Sequence, residues 1–325
     1  MSRYSEILSS NENIQNRILH SKEFLSEVKK SFSTLKGGQR PEVCVFAAGS
    51  LGRFETGRKS DLDVFILSDR RGRGSDERSL SKLEEIELFS DLIRLNENLE
   101  LKPFSGDGRF LKVHELDDLV KATGDSRDDS ENLFTTRLLL LLESQALSND
   151  LLYEQALEKV LENYFKDGKG RRDFHPLFLL NDILRYWRTL CLNYERDRAL
   201  DKPWWKKNLN LKFPRKLTVF STVLAIVSKQ VQTASDFKEL SKKVPLERLS
   251  SALDVIGDRS FESQFAEVIS DYESFLAAKS YAELETKNSN TIGDFRRKAD
   301  RFGTFIYQAL HSKKLDQELV KYLTV

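Results

Sequence analysis

Two short apolar runs, separated by a polar turn, occupy residues 43–67 and constrain the fold more than any other part of the chain. The runs are VCVFAA at 43–48 and LDVFIL at 62–67. Both are short and rich in β-branched or aromatic residues, so they predict two buried strands. Gly49 and Ser50 end the first run, and Leu51 to Glu55 can form one helical turn. The segment therefore predicts a strand, a tight turn, a short helix and a second strand.

Gly49 and Ser50 are candidate phosphate-binding residues. A glycine at this turn lets a phosphate approach the backbone, because no Cβ blocks the way. Ser50 offers a hydroxyl and an amide, and the amides at a helix start favour negative charge. Taken alone, a Gly-Ser pair at a strand end is more often an ordinary turn.

Asp61 and Asp63 are candidate metal ligands. Two residues apart in a strand, their side chains point to the same face, while Leu62, Val64 and Ile66 occupy the other. Adjacent carboxylates repel each other unless a cation lies between them, and Mg²⁺ prefers oxygen ligands. Two such ions can hold the attacking and leaving oxygens of a phosphoryl transfer. An isolated Asp-X-Asp is more often a solvated strand entry, but the combination with the glycine turn is far more specific.

These motifs resemble the nucleotidyltransferase superfamily that includes DNA polymerase β, kanamycin nucleotidyltransferase and the CCA-adding enzymes. They are most similar to bacterial PII-protein uridylyltransferases and the bacterial nucleotidyltransferases related to them. The matching motifs are Gly49-Ser50, Gly52-Arg53-Phe54-Glu55 and Ser60-Asp61-Leu62-Asp63. The specific likeness covers residues 43–67 and is weaker near 100–113 and at Thr136-Arg137-Leu138.

The resemblance implies that Asp61 and Asp63 bind Mg²⁺ or Mn²⁺ and that Gly49 and Ser50 hold the phosphates of a nucleoside triphosphate (NTP). It also implies that Arg53 and Lys59 assist in nucleotide binding through their charge, although each residue type is more often a solvated surface residue.

The same resemblance implies a third carboxylate from a later strand, which would activate the acceptor. Asp107 is our candidate, with Glu115, Asp117 and Asp118 as alternatives. The segment Ser105-Gly106-Asp107-Gly108 is equally typical of an ordinary hairpin turn.

Helical periodicity dominates both sides of this region. Residues 4–36 predict a helical arm, and Ser81 with Glu84 has capping-box spacing at the start of a helix to about 98. Further strands are expected at 99–104 and 109–114. Ser130 is expected to cap a helix through Leu147, and helical patterns continue to the end of the chain. We therefore expect an α/β plus all-α protein, in which a small mixed β-sheet nucleotidyltransferase core (41–127) lies between an N-terminal helical arm (1–40) and a C-terminal α-helical domain (128–325).

Charge and composition restrict the partners. The 52 basic and 51 acidic residues give a net charge of +1, so no global charge attracts nucleic acid or an anionic membrane. The longest leucine run, 138–142, is too short to cross a bilayer, so no membrane partner is expected. The two cysteines cannot form a disulfide framework, which favours a cytoplasmic location.

The expected activity is Mg²⁺-dependent transfer of a nucleoside monophosphate from an NTP to an acceptor, with release of pyrophosphate. The acceptor stays open between protein, RNA and a small molecule. The basic and aromatic segment 202–218 can bind RNA or nucleotide, or its tryptophans can anchor it on a helical core. The alternative function is a non-catalytic nucleotide-sensing or partner-binding module that retains the fold.

Overall fold

The computed structural model describes residues 3–57, 60–70, 77–104, 108, 111–169, 171, 173–199, 204–280 and 289–323. These residues are mostly helical and contain one small mixed sheet, so the predicted α/β plus helical class is confirmed at this level. The strands are β1 (Val43–Ala47), β2 (Val64–Ser68), β3 (Val113–Glu115) and β4 (Gln145–Ala146). The helices are α1 (Arg3–Ser9), α2 (Glu12–Ser33), α3 (Gly49–Gly52), α4 (Lys82–Asn98), α5 (Leu116–Lys121), α6 (Ser126–Ser130), α7 (Leu133–Leu142), α8 (Asp150–Phe165), α9 (Leu177–Ala199), α10 (Trp204–Asn210), α11 (Lys216–Val227), α12 (Ala234–Ser241), α13 (Pro245–Ile256), α14 (Glu262–Ser280), α15 (Ser289–Leu310) and α16 (Gln317–Lys321).

The chain forms two compact units. One consists of residues 17–163 and holds the sheet; the other combines Met1–Asn16 with Tyr164–Val325. The sheet unit is larger than the expected 41–127, because β4 pairs with β1 and therefore belongs to the sheet. The expected N-terminal arm is divided, since α1 contacts α13 of the helical unit while most of α2 belongs to the sheet unit.

The sheet has the strand order β3-β2-β1-β4. β1 is antiparallel to both β2 and β4, and β3 runs parallel to β2. In the β1–β2 pair, Val43 lies opposite Ser68 and Ala47 opposite Val64. The carboxyl end of β1 therefore meets the amino end of β2, which brings the two candidate motifs to the same end of the sheet.

Side chains of the first two strands alternate between two buried faces. Val45, Ala47 and Ile66 share one hydrophobic core with apolar residues of α2 and α4. On the other face, Phe46 stacks on Phe65 with ring centroids 5.5 Å apart. Burial on both faces explains why these strands are continuous apolar runs in the sequence.

The Ser81 capping box is confirmed, and it explains where α4 begins. The Ser81 hydroxyl accepts a hydrogen bond from the Glu84 amide, and the Glu84 carboxylate accepts one from the Ser81 amide. These contacts satisfy two backbone donors that the first helical turn leaves unpaired.

The expected helix from Ser130 to Leu147 is wrong at both ends. Asn132 adopts a left-handed backbone, with φ +62°, and separates α6 from α7. After α7, Glu143 leaves the helical conformation, with φ −155°, and the chain enters β4. Pairing with β1 fixes residues 145–146 as a strand against the helical preference of the leucine run.

The helical unit has its own aromatic core. Phe213 lies within 5.8 Å of the ring centroids of Tyr272, Phe275 and Phe302, which come from α14 and α15. Phe213 itself lies in a short π-helical segment, Leu211–Arg215, between α10 and α11. No helix among the described residues is long and apolar enough to cross a membrane.

Candidate active site at the end of β1 and β2

The turn after β1 lies directly against the chain that leads into β2. The Ala48 amide donates a hydrogen bond to the Asp63 carbonyl oxygen at 2.9 Å, which extends the β1–β2 pairing by one step. Gly49 then adopts φ +64°, a backbone conformation that L side chains rarely adopt. The predicted glycine turn is therefore present and lies next to the predicted carboxylates.

Gly49 leaves room for the Asp63 carboxylate. A Cβ added to Gly49 would lie 2.3 Å from Oδ2 of Asp63, closer than two nonbonded atoms can approach. The absence of a side chain at Gly49 thus allows the acidic group to lie against the turn. Through this contact, the Gly-Ser and Asp-X-Asp motifs lie at one candidate site.

Replacing Gly49 by alanine is expected to destabilise the protein and to displace the Asp63 side chain. Gly124 provides a matched control, because its φ is +83° and an added Cβ would meet nothing within 4 Å. We expect Gly124→Ala to cost about 1 kcal/mol from backbone strain alone. Gly49→Ala should cost about 1–3 kcal/mol more, because it adds overpacking to the same strain. Urea unfolding of both variants measures the difference, and equal losses would contradict the close contact.

Asp61 and Asp63 precede β2 rather than lying within it. Burial nevertheless alternates along this stretch: Leu62 and Val64 are buried in the core, Asp61 is exposed and Asp63 is half-buried. This alternation continues the period of a strand through residue 61. Metal binding by the pair stays a prediction.

Ser50 is buried, with 7% of its surface exposed, and its backbone closes the turn. Its carbonyl oxygen accepts a hydrogen bond from the Glu55 amide at 2.8 Å, and the Gly49 carbonyl accepts one from the Arg53 amide. The short α3 is therefore tied to the residues that follow it. The expected contacts of Gly49 and Ser50 with phosphate stay predictions.

Arg53 joins two buried carboxylates. Its Nε donates to Oε2 of Glu55 and its Nη1 donates to Oε2 of Glu143, both at 2.7 Å. The three side chains are 4%, 6% and 0% exposed, respectively. These bonds show that Arg53 supports the turn; they do not favour the expected contact with a nucleotide, which stays a prediction.

Gly52 also supports the turn, because it has no side chain and so lets another part of the backbone approach closely. An added Cβ would lie 2.0 Å from the Glu143 carbonyl oxygen, so only glycine allows the two backbones to touch. The Gly-Arg-X-Glu motif at residues 52–55 thus anchors the Gly49 turn to the chain between α7 and β4. Sequence reasoning missed Glu143, although a single carboxylate directly after five leucines was a usable signal.

Described residues between the turn and Asp61 also make hydrogen bonds. The Ser21 hydroxyl in α2 accepts hydrogen bonds from the Thr56 amide and hydroxyl, at 3.0 and 2.6 Å. Further along, the Gly57 amide donates to Oγ of Ser60, and the Ser60 amide donates to the Gly57 carbonyl. Ser60 of the Ser-Asp-X-Asp motif is therefore hydrogen-bonded to Gly57 through both its side chain and its backbone.

Two predicted site residues, Lys59 and Asp107, lie outside the described residues. The three alternatives to Asp107 lie at the far end of the sheet. Glu115 pairs with Ser68, five residues beyond Asp63, which corresponds to about 16 Å along the strand.

The contacts of these alternatives are structural. Glu115 accepts a hydrogen bond from the Ser79 hydroxyl at 2.8 Å, and Asp118 accepts one from Nη2 of Arg70 at 3.0 Å. Lys159 donates to Asp117 and holds the pKa of that carboxyl below its usual value. None of these three carboxylates is placed to act as the third acid at Asp63.

Among the described residues, no group of three or more His, Cys, Asp or Glu side chains is arranged to hold a metal ion. Asp107 is not among them, so the predicted three-carboxylate set stays a prediction. Comparison of the chain with protein-family models, with curated proteins and with solved structures found no match.

The basic and aromatic segment belongs to the helical unit. Its described part comprises α10, the π-helical turn and the start of α11. The Arg296 guanidinium lies over the Trp204 ring, 4.7 Å from the centroid, and Lys212 donates to Oδ1 of Asp300. The Trp204 contact supports the interpretation that a tryptophan anchors the segment, while nucleic-acid binding by the segment stays a prediction.

Proposed function

We propose that this chain is a Mg²⁺- or Mn²⁺-dependent nucleotidyltransferase. It would move a nucleoside monophosphate from an NTP to an acceptor hydroxyl and release pyrophosphate. The observation that carries the proposal is the contact of the Asp63 carboxylate with Gly49, whose left-handed turn follows β1. The Gly49 turn, our candidate for phosphate binding, and the Asp63 carboxylate before β2 lie together, as such a reaction requires.

The residues fit a divalent cation. Asp61 and Asp63 supply carboxylate oxygens, the ligand type that Mg²⁺ prefers, and Asp63 is half-buried beside a turn that has no Cβ. When bound, the metal would neutralise charge on the phosphates and on the leaving pyrophosphate.

The protein's own part is mainly positioning. Gly49 and Ser50 would hold the triphosphate tail, so that the acceptor oxygen attacks the α-phosphorus while the bond to the β-phosphate oxygen breaks. The acceptor hydroxyl loses its proton in this step, and Asp107 is our candidate to take it. Arg53, Glu55 and Glu143 would keep the turn rigid without touching the substrate.

The test is transfer of label from each α-³²P-labelled NTP, with Mg²⁺ or Mn²⁺ and with or without cell extract. Asp63→Asn preserves the size of the side chain and removes its charge. We expect it to lower transfer by about 100-fold or more, because it weakens stabilisation of the transferring phosphate. The double change Asp61→Ala and Asp63→Ala should abolish transfer.

Asp69→Asn is the matched control, since Asp69 is also half-buried and follows β2 at its opposite end. This variant should transfer label at the wild-type rate. The size of the labelled product identifies the acceptor as a protein, an RNA or a small molecule. If wild type labels nothing under any condition but still binds an NTP, the alternative of a non-catalytic nucleotide-sensing module replaces the proposal.

A further inference from the structure

A second candidate site lies in the sheet unit, in a cavity of about 490 Å³ along β3. Five consecutive residues, 111–115, line it together with Lys82, Glu85 and Phe89 of α4. Glu131 and Leu133 also line it. We call this cavity the β3 groove.

The groove follows a strand edge. β3 is the terminal strand in the order β3-β2-β1-β4, and its described pairing is with β2 alone. Val113 packs on the core face with α4, whereas His114 meets Thr136 of α7 on the other face. Because the groove borders both faces of β3, it lies along the edge that faces away from β2. Half of the backbone donors and acceptors of an edge strand point outward and can pair with another strand.

His114 adds a specific polar feature to the groove. Its Nε2 lies 3.4 Å from Oγ1 of Thr136, whose own hydroxyl donates to the Asn132 carbonyl at 2.8 Å. Thr136 therefore accepts from Nε2–H, which leaves Nδ1 as a hydrogen-bond acceptor. Burial and the nearby Lys112 lower the pKa of His114 to about 4, so the ring stays neutral at pH 7.

Nδ1 of His114 is buried and has no hydrogen-bond partner among the described residues. The whole residue is only 4% exposed. A buried acceptor without a donor is unfavourable by about 1–3 kcal/mol, so the site favours a ligand that supplies an N–H or O–H group.

The charges of the groove favour a peptide over a nucleic acid. Its lining contains four Arg or Lys and four Asp or Glu side chains. These charges balance, so the groove has no net positive charge to attract a nucleic-acid strand, which carries one negative charge on each nucleotide. An extended peptide of low net charge needs no such attraction, and its backbone can pair with the edge of β3 that has no partner strand among the described residues.

We propose that the β3 groove binds an extended peptide segment of a partner protein as an added strand. A Ser, Thr, Asn or Gln side chain of that peptide donates to Nδ1 of His114. Since side chains alternate along a strand, the residues on either side of this donor face Phe89 and Val113 and are apolar. This binding does not depend on nucleotidyl transfer.

Fluorescence polarisation with the full chain tests the proposal. The probe is a fluorescein-labelled octapeptide with a central Val-Thr-Val, compared with the same peptide carrying Val-Ala-Val. We expect the threonine peptide to bind with a Kd below about 100 μM and about tenfold more tightly than the alanine peptide. His114→Phe, which removes the acceptor, should reduce this tenfold preference to about one.

Two surface variants provide a matched pair that does not disturb the core. Lys82 and Leu83 are neighbours on α4, and both are exposed, but only Lys82 lines the groove. Lys82→Trp should weaken peptide binding by more than tenfold, whereas Leu83→Trp should leave it unchanged. Hydrogen exchange should show slower exchange at residues 112–115 when the peptide is bound.

Three results would overturn the proposal. The first is no binding of the threonine peptide at 1 mM, on the order of the weakest specific affinities. The second is equal effects of Lys82→Trp and Leu83→Trp. The third is binding of octathymidylate or octauridylate that competes at the same residues while the peptides do not bind, which would make the groove a nucleic-acid site.

Discussion

Replacing Arg53 by methionine is expected to lower the free energy of unfolding by about 3–5 kcal/mol. Arg53 joins Glu55 and Glu143, and all three side chains are less than a tenth exposed. Methionine preserves much of the volume but removes the guanidinium, so two buried carboxylates would face each other without the cation that joins them. Urea or thermal unfolding measures the loss.

Arg40 offers a matched control for the same substitution. Its guanidinium joins three carboxylates, Glu84 at 3.2 Å, Glu87 at 2.7 Å and Glu42 at 3.5 Å. Those carboxylates are 43%, 41% and 22% exposed, so water solvates them when the arginine is removed. Arg40→Met should therefore cost no more than about 1 kcal/mol. Equal losses of unfolding free energy for the two variants would show that the ion pairs of Arg53 stabilise the protein no more than a surface ion pair does.

A variant at Glu143 distinguishes an effect on the stability of the turn from an effect on NTP binding by the turn. Glu143→Gln keeps the size of the side chain and leaves Arg53 paired with Glu55, so it should cost less than Arg53→Met. If the turn holds triphosphate, this variant should raise the KM for the NTP more than it lowers kcat, because its effect reaches the substrate through Gly49 and Ser50. A purely structural role would lower the stability and leave the KM unchanged.

The local part of the candidate site was predictable because its signals are contiguous. Only 13 residues separate the two apolar runs, so the two strands are expected to lie next to each other in the sheet. The glycine at the end of the first run marks the turn. The structure places Gly49 against Asp63, as that order implies. Each of these inferences uses residues close together in the chain.

Long-range partners were not predictable in this way. From sequence, Arg53 was expected to assist nucleotide binding or to lie on the surface, since arginine is seldom buried unless it is paired. Its partner Glu143 lies 90 positions away. Spacing along the chain carries no information about such a contact, so the support of the turn emerges only from the fold.

The extent of the sheet shows the same limit. Strands were expected at 99–104 and 109–114. Residues 99–104 form no strand: α4 ends at Asn98, as expected, and the Leu101 amide donates back to the Asn96 carbonyl. Residues 109 and 110 lie outside the described residues, and the described strand pairing begins at Val113. β4 has two residues, and it is a strand only because it pairs with β1. Tertiary pairing overrides local preference in such short segments.

The second large effect is expected at Asp128, a buried carboxylate in α6. Its carboxylate accepts two hydrogen bonds from the Arg137 guanidinium, at 2.9 and 2.8 Å, and both side chains are 0% exposed. Nη1 of Arg137 also donates to the Leu119 carbonyl. The pair thus ties α5, α6 and α7 together beside the sheet.

Asp128→Ala should destabilise the protein by about 3–5 kcal/mol, because it leaves the buried Arg137 guanidinium without its carboxylate. The double variant Asp128→Leu with Arg137→Met should recover most of this loss, since apolar residues of similar size often replace a buried ion pair at little cost. Urea unfolding of the single variants Asp128→Leu and Arg137→Met and of the double variant completes a double-mutant cycle. A double variant as unstable as Asp128→Ala would mean that the bond to the Leu119 carbonyl, rather than the charge pair, holds these helices.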